Sequence, residues 1–101
     1  MKVIINRGAA PFKFSQDVLK KLFDIGHPEV RKNGRHYSVR YATHDVLRDD
    51  KKTIKIVEKL GEKANTLLVN FKIIEIPDGI EYYVHRVGNT EEIHEKHRVW
   101  K

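Results

Sequence analysis

The chain has 101 residues and a formal net charge of +6, with 40% hydrophobic and 34% charged residues, which suits one globular domain (1–101) with a modest core. It has no cysteine, so disulfides and thiolate metal sites are excluded. No apolar run reaches the roughly 20 residues of a membrane helix, and the opening MKVIINRG lacks the apolar stretch of a secretory signal; a cytoplasmic protein without membrane contact is expected.

Lys2–Asn6 reads as a strand with Val3 and Ile5 on one face and Lys2, Ile4 and Asn6 on the other. Arg7–Phe14, with Gly8 and Pro11, reads as a loop. A strand–loop–helix connection can present N–H groups to an anion, but Arg7-Gly8 has neither the P-loop nor the GxGxxG pattern. Ser15 then suits a helix N-cap, with Asp17 in the first turn and Val18, Leu19, Leu22 and Phe23 at helical spacing. Gly26 and Pro28 stop it.

His27–Arg40 is polar and turns around Asn33-Gly34, with Tyr37, Val39 and Tyr41 alternating afterwards as in a hairpin, although His27–Val30 is a poor partner strand. This region dominates the charge asymmetry. Residues 1–40 hold nine basic side chains against three acidic ones, while residues 41–101 hold eleven of each, which implies an anionic partner on one side of the molecule. Within it, Arg31, Lys32, Arg35, His36, Tyr37 and Arg40 form a run without an acid. Its cations could track phosphates while Tyr37 stacks on a base, with Lys20 and Lys21 nearby in sequence. The plainer alternative is a solvated basic loop, since no zinc finger, helix-turn-helix or RNA-binding signature accompanies it.

Thr43–Arg48 has no clear pattern. A second helix, near 50–60, is capped by Asp49 or Asp50, buries Ile54, Val57 and Leu60, and stops at Gly61. Leu67–Ile76 alternates as a strand, with Leu67, Val69, Phe71 and Ile73 on one face, and Pro77-Asp78-Gly79 ends it. Gly88-Asn89 then suits a two-residue hairpin turn. That turn sets the pairs Val87–Thr90, Arg86–Glu91, His85–Glu92, Val84–Ile93 and Tyr83–His94, and beyond them Tyr82–Glu95, Glu81–Lys96 and Ile80–His97. Opposed charges at Arg86–Glu91 and Glu81–Lys96 and the apolar Val84–Ile93 pair contribute ~0.2–1 kcal/mol each, and a slip by one residue would lose them together.

Arg48-Asp49-Asp50, IVEKLGEKAN (56–65), KIIEIPDGIEYYV (72–84), EKHRVW (95–100) and the MKVIIN start resemble a family of small hypothetical proteins of bacteriophages and prophages. The resemblance covers residues 1–6 and about 48–100. It implies a phage accessory setting and carries no established activity. Relatives have a glycine pair and an aromatic where Ala9-Ala10-Pro11-Phe12 stands, Asp-Pro where Asp50-Lys51 stands, and a longer, less basic middle segment. His97, Arg98 and Trp100 fall within the family-like ending and are the candidates for a shared surface; for Trp100 and His97 packing is the competing role.

Six histidines raise metal binding, but His94-Glu95-Lys96-His97 is not HExxH and would point its two histidines to opposite faces of a strand. His85 and His94 share a face with Tyr83 and Glu92, which reads as polar and solvated. There is no nucleophile elbow and no carboxylate pair. The expectation is α+β: an antiparallel sheet of about four strands with two helices packed on one face. Functionally it is an accessory protein without catalysis, cofactor or metal that binds a host protein or small ligand, with nucleic-acid or nucleotide binding through 31–40 as the alternative.

Overall fold

Val3-Ile4-Ile5 is apolar on consecutive positions because both faces of its strand are covered, the pattern of a fully buried strand. The computed structural model describes residues 1–41, 43–95 and 99–100. In chain order its elements are β1 (Lys2–Asn6), α1 (Gln16–Asp24), β2 (Val30–Asn33), β3 (His36–Val39), a 3-10 turn at Asp45–Leu47, α2 (Lys51–Leu60), a second 3-10 turn at Gly61–Ala64, β4 (Phe71–Glu75), β5 (Tyr83–Val87), β6 (Thr90–His94) and β7 (Val99–Trp100). The fold is α+β, with the strands in three antiparallel sheets: β1-β4, β2-β3 and β5-β6-β7.

The β1-β4 ribbon sits at the centre. Its register sets Ile4 opposite Ile73 and Val3 opposite Ile74, so the two faces carry different side chains. Ile4, Phe71 and Ile73 meet the helices: Val18, Leu19 and Leu22 of α1, Ile54 and Val57 of α2, Val30 and Val39 of the small hairpin, and Leu47. Val3, Ile5, Ile74 and Ile76 meet Ile93 of β6, with Ile80, Tyr82 and Trp100 packed around them. Both helices thus pack on one face, and β5-β6-β7 covers the other. A lone two-stranded ribbon is marginal in water; burial on both sides is what stabilises this one.

The helix caps follow the sequence. The Ser15 side chain accepts a 3.4 Å bond from the Val18 N–H. Of the two aspartates before α2, Asp50 is the cap, and its Oδ2 accepts from the Thr53 N–H at 2.9 Å and the Thr53 hydroxyl at 2.8 Å. Asp49 instead accepts from the Tyr82 hydroxyl at 2.8 Å. The same Asp50 oxygen lies 3.0 Å from His27 Nε2, while His27 Nδ1 accepts the Glu29 N–H at 3.1 Å. The proton is therefore on Nε2, and buried His27 ties the end of α1 to the start of α2.

The β5-β6 register is the one predicted, from Tyr83 opposite His94 to Val87 opposite Thr90. Gly34 and Gly88 have φ of 61° and the residues after them do not have positive φ, which fits hairpin turns with glycine at the first central position. The 27–40 region is likewise a hairpin, with Asn33 opposite His36. Two strands differ from expectation. β6 stops at His94, so its ladder with β5 ends at Tyr83–His94 and does not extend to the expected Tyr82–Glu95 pair, and Val99–Trp100 returns against it as β7, with Trp100 opposite Ile93; the expected pairs Glu81–Lys96 and Ile80–His97 involve residues outside those described. Leu67 is 96% exposed and Leu68 54% exposed, and β4 begins only at Phe71. The chain is turned before it: Thr66 N–H donates to the Val69 carbonyl and Phe71 N–H to Asn65 Oδ1. No helix among the described residues is long and apolar enough to cross a membrane.

Candidate functional site

The basic run predicted from sequence lies on β2-β3 and its turn. Residues opposite one another share a face, so Arg31, Ser38, Asn33 and His36 form the outer side, and Lys32 and Tyr37 lie on the side of the buried Val30 and Val39. The side chains of Arg31 and Arg40 make long 3.5 Å contacts, to the carbonyls of Arg40 and Pro28. Arg35, at the tip, and His36 are exposed. The side chains of Arg31, Lys32, Arg35 and Arg40 form no ion pair among the described residues. Tyr37 is partly engaged within the protein. It is half-buried, its ring lies 5.5 Å from that of Phe23, and Lys32 Nζ sits 5.7 Å over it. Gln16 bonds both its N–H, at 2.7 Å, and its carbonyl, at 2.9 Å. The Gln16 bonds fix the Tyr37 backbone, and its ring packs in part against Phe23 and Lys32.

The hairpin flanks α1, and α2 flanks it elsewhere. Between the two helices runs a groove of about 620 Å³, with Ile25, Ile56 and Leu60 among its lining and Lys21, Lys59 and Lys63 around it. Ile25 is 54% exposed and Phe23 39%. Lys21 and Lys59 stand in the last turns of their helices, where a cation suits the helix dipole, and the three lysines make no ion pair among the described residues. The acid in this groove, Asp24, is taken by Lys20 at 2.8 Å. Lys20 is thereby a weaker candidate for phosphate contact than Lys21.

On the other side of β1 one group of charges is consumed internally. Arg48 and Glu91 are both buried, and the guanidinium grips the carboxylate through two bonds, of 2.9 and 2.8 Å. Arg48 also donates to the Ile4 carbonyl at 3.1 Å and to Asp45 at 2.6 Å, and its Cζ lies 3.6 Å from the centre of the Phe12 ring. Glu91 accepts the Asn6 N–H at 2.6 Å. Burial works against the Arg48 charge, but Glu91 and Asp45 outweigh it and raise its pKa. Nearby, burial first and the bond to Asp49 second push the Tyr82 phenol well above its ordinary value. Arg86 and Glu91 do sit opposite each other as predicted, yet Glu91 turns to Arg48, and Arg86 donates to the carbonyls of Gly8, Ala9 and Ala10. Nothing near Arg48 in the sequence points to its partner, which is distant in the chain; the available signal is Glu91 on the face that also carries Val84, Ile93 and Arg86.

The Arg7-Gly8 loop is no anion cradle. The N–H groups of Arg7 and Ala10 go to the carbonyls of Asn70 and Leu68, at 2.7 and 3.0 Å, and that of Gly8 to Asn6 Oδ1 at 2.7 Å. His94 lies 2.7 Å from Glu92, and its ring centre is 5.0 Å from that of His85; among the described residues no group of three acids or histidines could hold a metal ion. Trp100 pairs with Ile93 on β7 and packs on the Val3/Ile5 cluster. His97 and Arg98, the other members of the expected shared surface, lie outside the described residues.

Comparisons with protein-family models, curated proteins and solved structures gave no match.

Proposed function

We propose that the chain is an accessory binding protein without catalysis, of the phage type that its sequence signature resembles, and that it engages an acidic protein surface through α1, α2 and β2-β3. The observation that carries this reading is the combination of exposed Phe23 and Ile25 with cations that have no carboxylate partner among the described residues. Apolar side chains set among cations match a partner that is both acidic and apolar, which is the chemistry of a protein surface. A phosphate backbone would use the cations and leave the apolar floor wet.

The test is capture from bacterial lysate followed by binding of the purified partner. Ile25→Glu with Lys59→Glu abolishes the interaction, raised salt weakens it, and Arg35→Ala with Arg40→Ala reduces it less. Turnover of a nucleotide or peptide substrate that is lost on point mutation would overturn the reading. The second reading, nucleic-acid binding, draws support from Arg31, Arg35, His36 and Arg40 on the outer side and tip of the hairpin. It requires salt-sensitive retardation of single-stranded DNA or RNA that Arg35→Ala with Arg40→Ala reduces. Absence of retardation at low salt eliminates it.

A further inference from the structure

A second cleft, of about 810 Å³, opens where the loop entering α1 meets the segments around His44 and Val69. Its walls include Pro11, Phe12, Phe14 and Val69, and its polar lining includes Lys13, Thr43, His44 and Thr66, with no carboxylate among the lining residues. Phe12 and Phe14 meet edge-on with centroids 5.0 Å apart, and the His44 ring lies nearly parallel to Phe14, at 5.9 Å and 16°. Phe14 is itself buried and acts as the base on which Phe12 and His44 are held, so Pro11, Phe12 and His44 are the ring surfaces the cleft offers.

The polar groups around those surfaces favour one kind of ligand. His44 Nδ1 accepts the Phe14 N–H at 3.0 Å, so the neutral ring carries its proton on Nε2 and offers a donor there. Burial first, and the charge of Lys13 second, hold His44 below its ordinary pKa, with Asp45 pulling the other way. At neutral pH it is therefore a neutral donor. Lys13 makes no ion pair among the described residues, and Thr43 and Thr66 add hydroxyls. The first turn of α1 borders the cleft at Ser15 and Gln16, where the helix dipole adds positive potential. The Gln16 side chain is already committed to Tyr37 and adds no donor.

We propose that this cleft binds a small molecule with a planar apolar ring and one anionic group, the ring against Pro11, Phe12 and His44 and the anion toward Lys13. Such a cleft combines apolar walls with a few polar groups that orient the ligand, as small-molecule sites do. The site is distinct from the α1-α2 groove, so its failure leaves the protein-docking reading standing, and the reverse also holds.

The experiment is titration followed by amide chemical shifts, using benzoate, phenyl phosphate and adenosine monophosphate as probes, with benzamide and adenosine as neutral counterparts. Saturable shifts confined to residues around Phe12, Phe14 and His44 are expected with at least one anionic probe. Lys13→Ala weakens that binding on the order of tenfold or more, as loss of a charged hydrogen bond does, and Arg35→Ala leaves it unchanged. Response to benzoate alone identifies a carboxylate ligand, and response to the phosphates alone a phosphorylated one. The proposal is overturned if neutral and anionic probes bind equally, if Lys13→Ala binds as tightly as the parent, or if no probe saturates at millimolar concentration, the weakest affinity worth about 4 kcal/mol. Lys13 is exposed, so its variant folds and the comparison stays interpretable.

Discussion

Arg48 and Arg35 carry the same charge and use it in opposite ways. Arg48 is 5% exposed and holds Glu91, 43 residues away in the chain, together with Ile4 and Asp45. Arg35 stands exposed at a hairpin tip. What separates them is the carboxylate that reaches one and not the other. A buried pair must be satisfied on every side because removing its charges from water costs several kcal/mol per ion, whereas a tip cation stays hydrated until a partner displaces the water. Charge density along a sequence therefore marks where cations are, and only the fold marks which are available.

Breaking the buried side should give the largest effect. Glu91→Ala leaves the Arg48 guanidinium with the exposed Asp45 as its remaining acid and should cost about 3–5 kcal/mol, read as a lower urea midpoint at unchanged slope. A loss under about 1 kcal/mol would place Glu91 with ordinary surface pairs. Gly8→Ala comes next. A Cβ there would stand 2.2 Å from the Leu68 carbonyl oxygen, which is backbone and cannot swing away, so about 1–3 kcal/mol is expected; a thermal melt matching the parent would show that the loop slides freely on residues 68–70.

Asp50→Ala removes a helix cap and should cost about 0.5–2 kcal/mol. Its pH dependence sharpens the point. Burial favours the protonated acid, but the bonds from Thr53 and His27 outweigh it and lower the Asp50 pKa. The folded value lies below the unfolded one, so this stabilisation is complete above the ordinary carboxylate range and is lost as pH falls through the folded value. Asp50→Asn should flatten the acid limb of the stability curve; an unchanged limb would assign that slope to other carboxylates. The smallest effect belongs to the open side, where Arg35→Ala should move stability by less than ~0.5 kcal/mol. A larger change in denaturation would mean that the tip is structural and the contrast with Arg48 is false.

Local signals were legible from sequence and long-range ones were not. The β5-β6 register followed from period-two alternation and Gly88-Asn89, and the helices from Ser15, Asp50, Gly26 and Gly61, because each signal lies within a few residues of the element it governs. The pairing of β1 with β4 joins residues near position 2 to residues near position 75, and no neighbouring residue announces it. The same holds for Arg48, which stood in a segment without periodicity. Leu67 misled because apolar alternation continued past the point where the chain turns outward. At the candidate site the hairpin cations were visible as a run, but the groove between α1 and α2 arises from two stripes that meet only in three dimensions.

His27 has a consequence for recognition. By joining the segment just after α1 to the residue before α2, it adds a polar pin to the apolar packing that already holds the two walls together. A partner then meets a surface assembled in advance and loses little conformational freedom on arrival, so loosening that pin should weaken affinity without altering any residue in the interface.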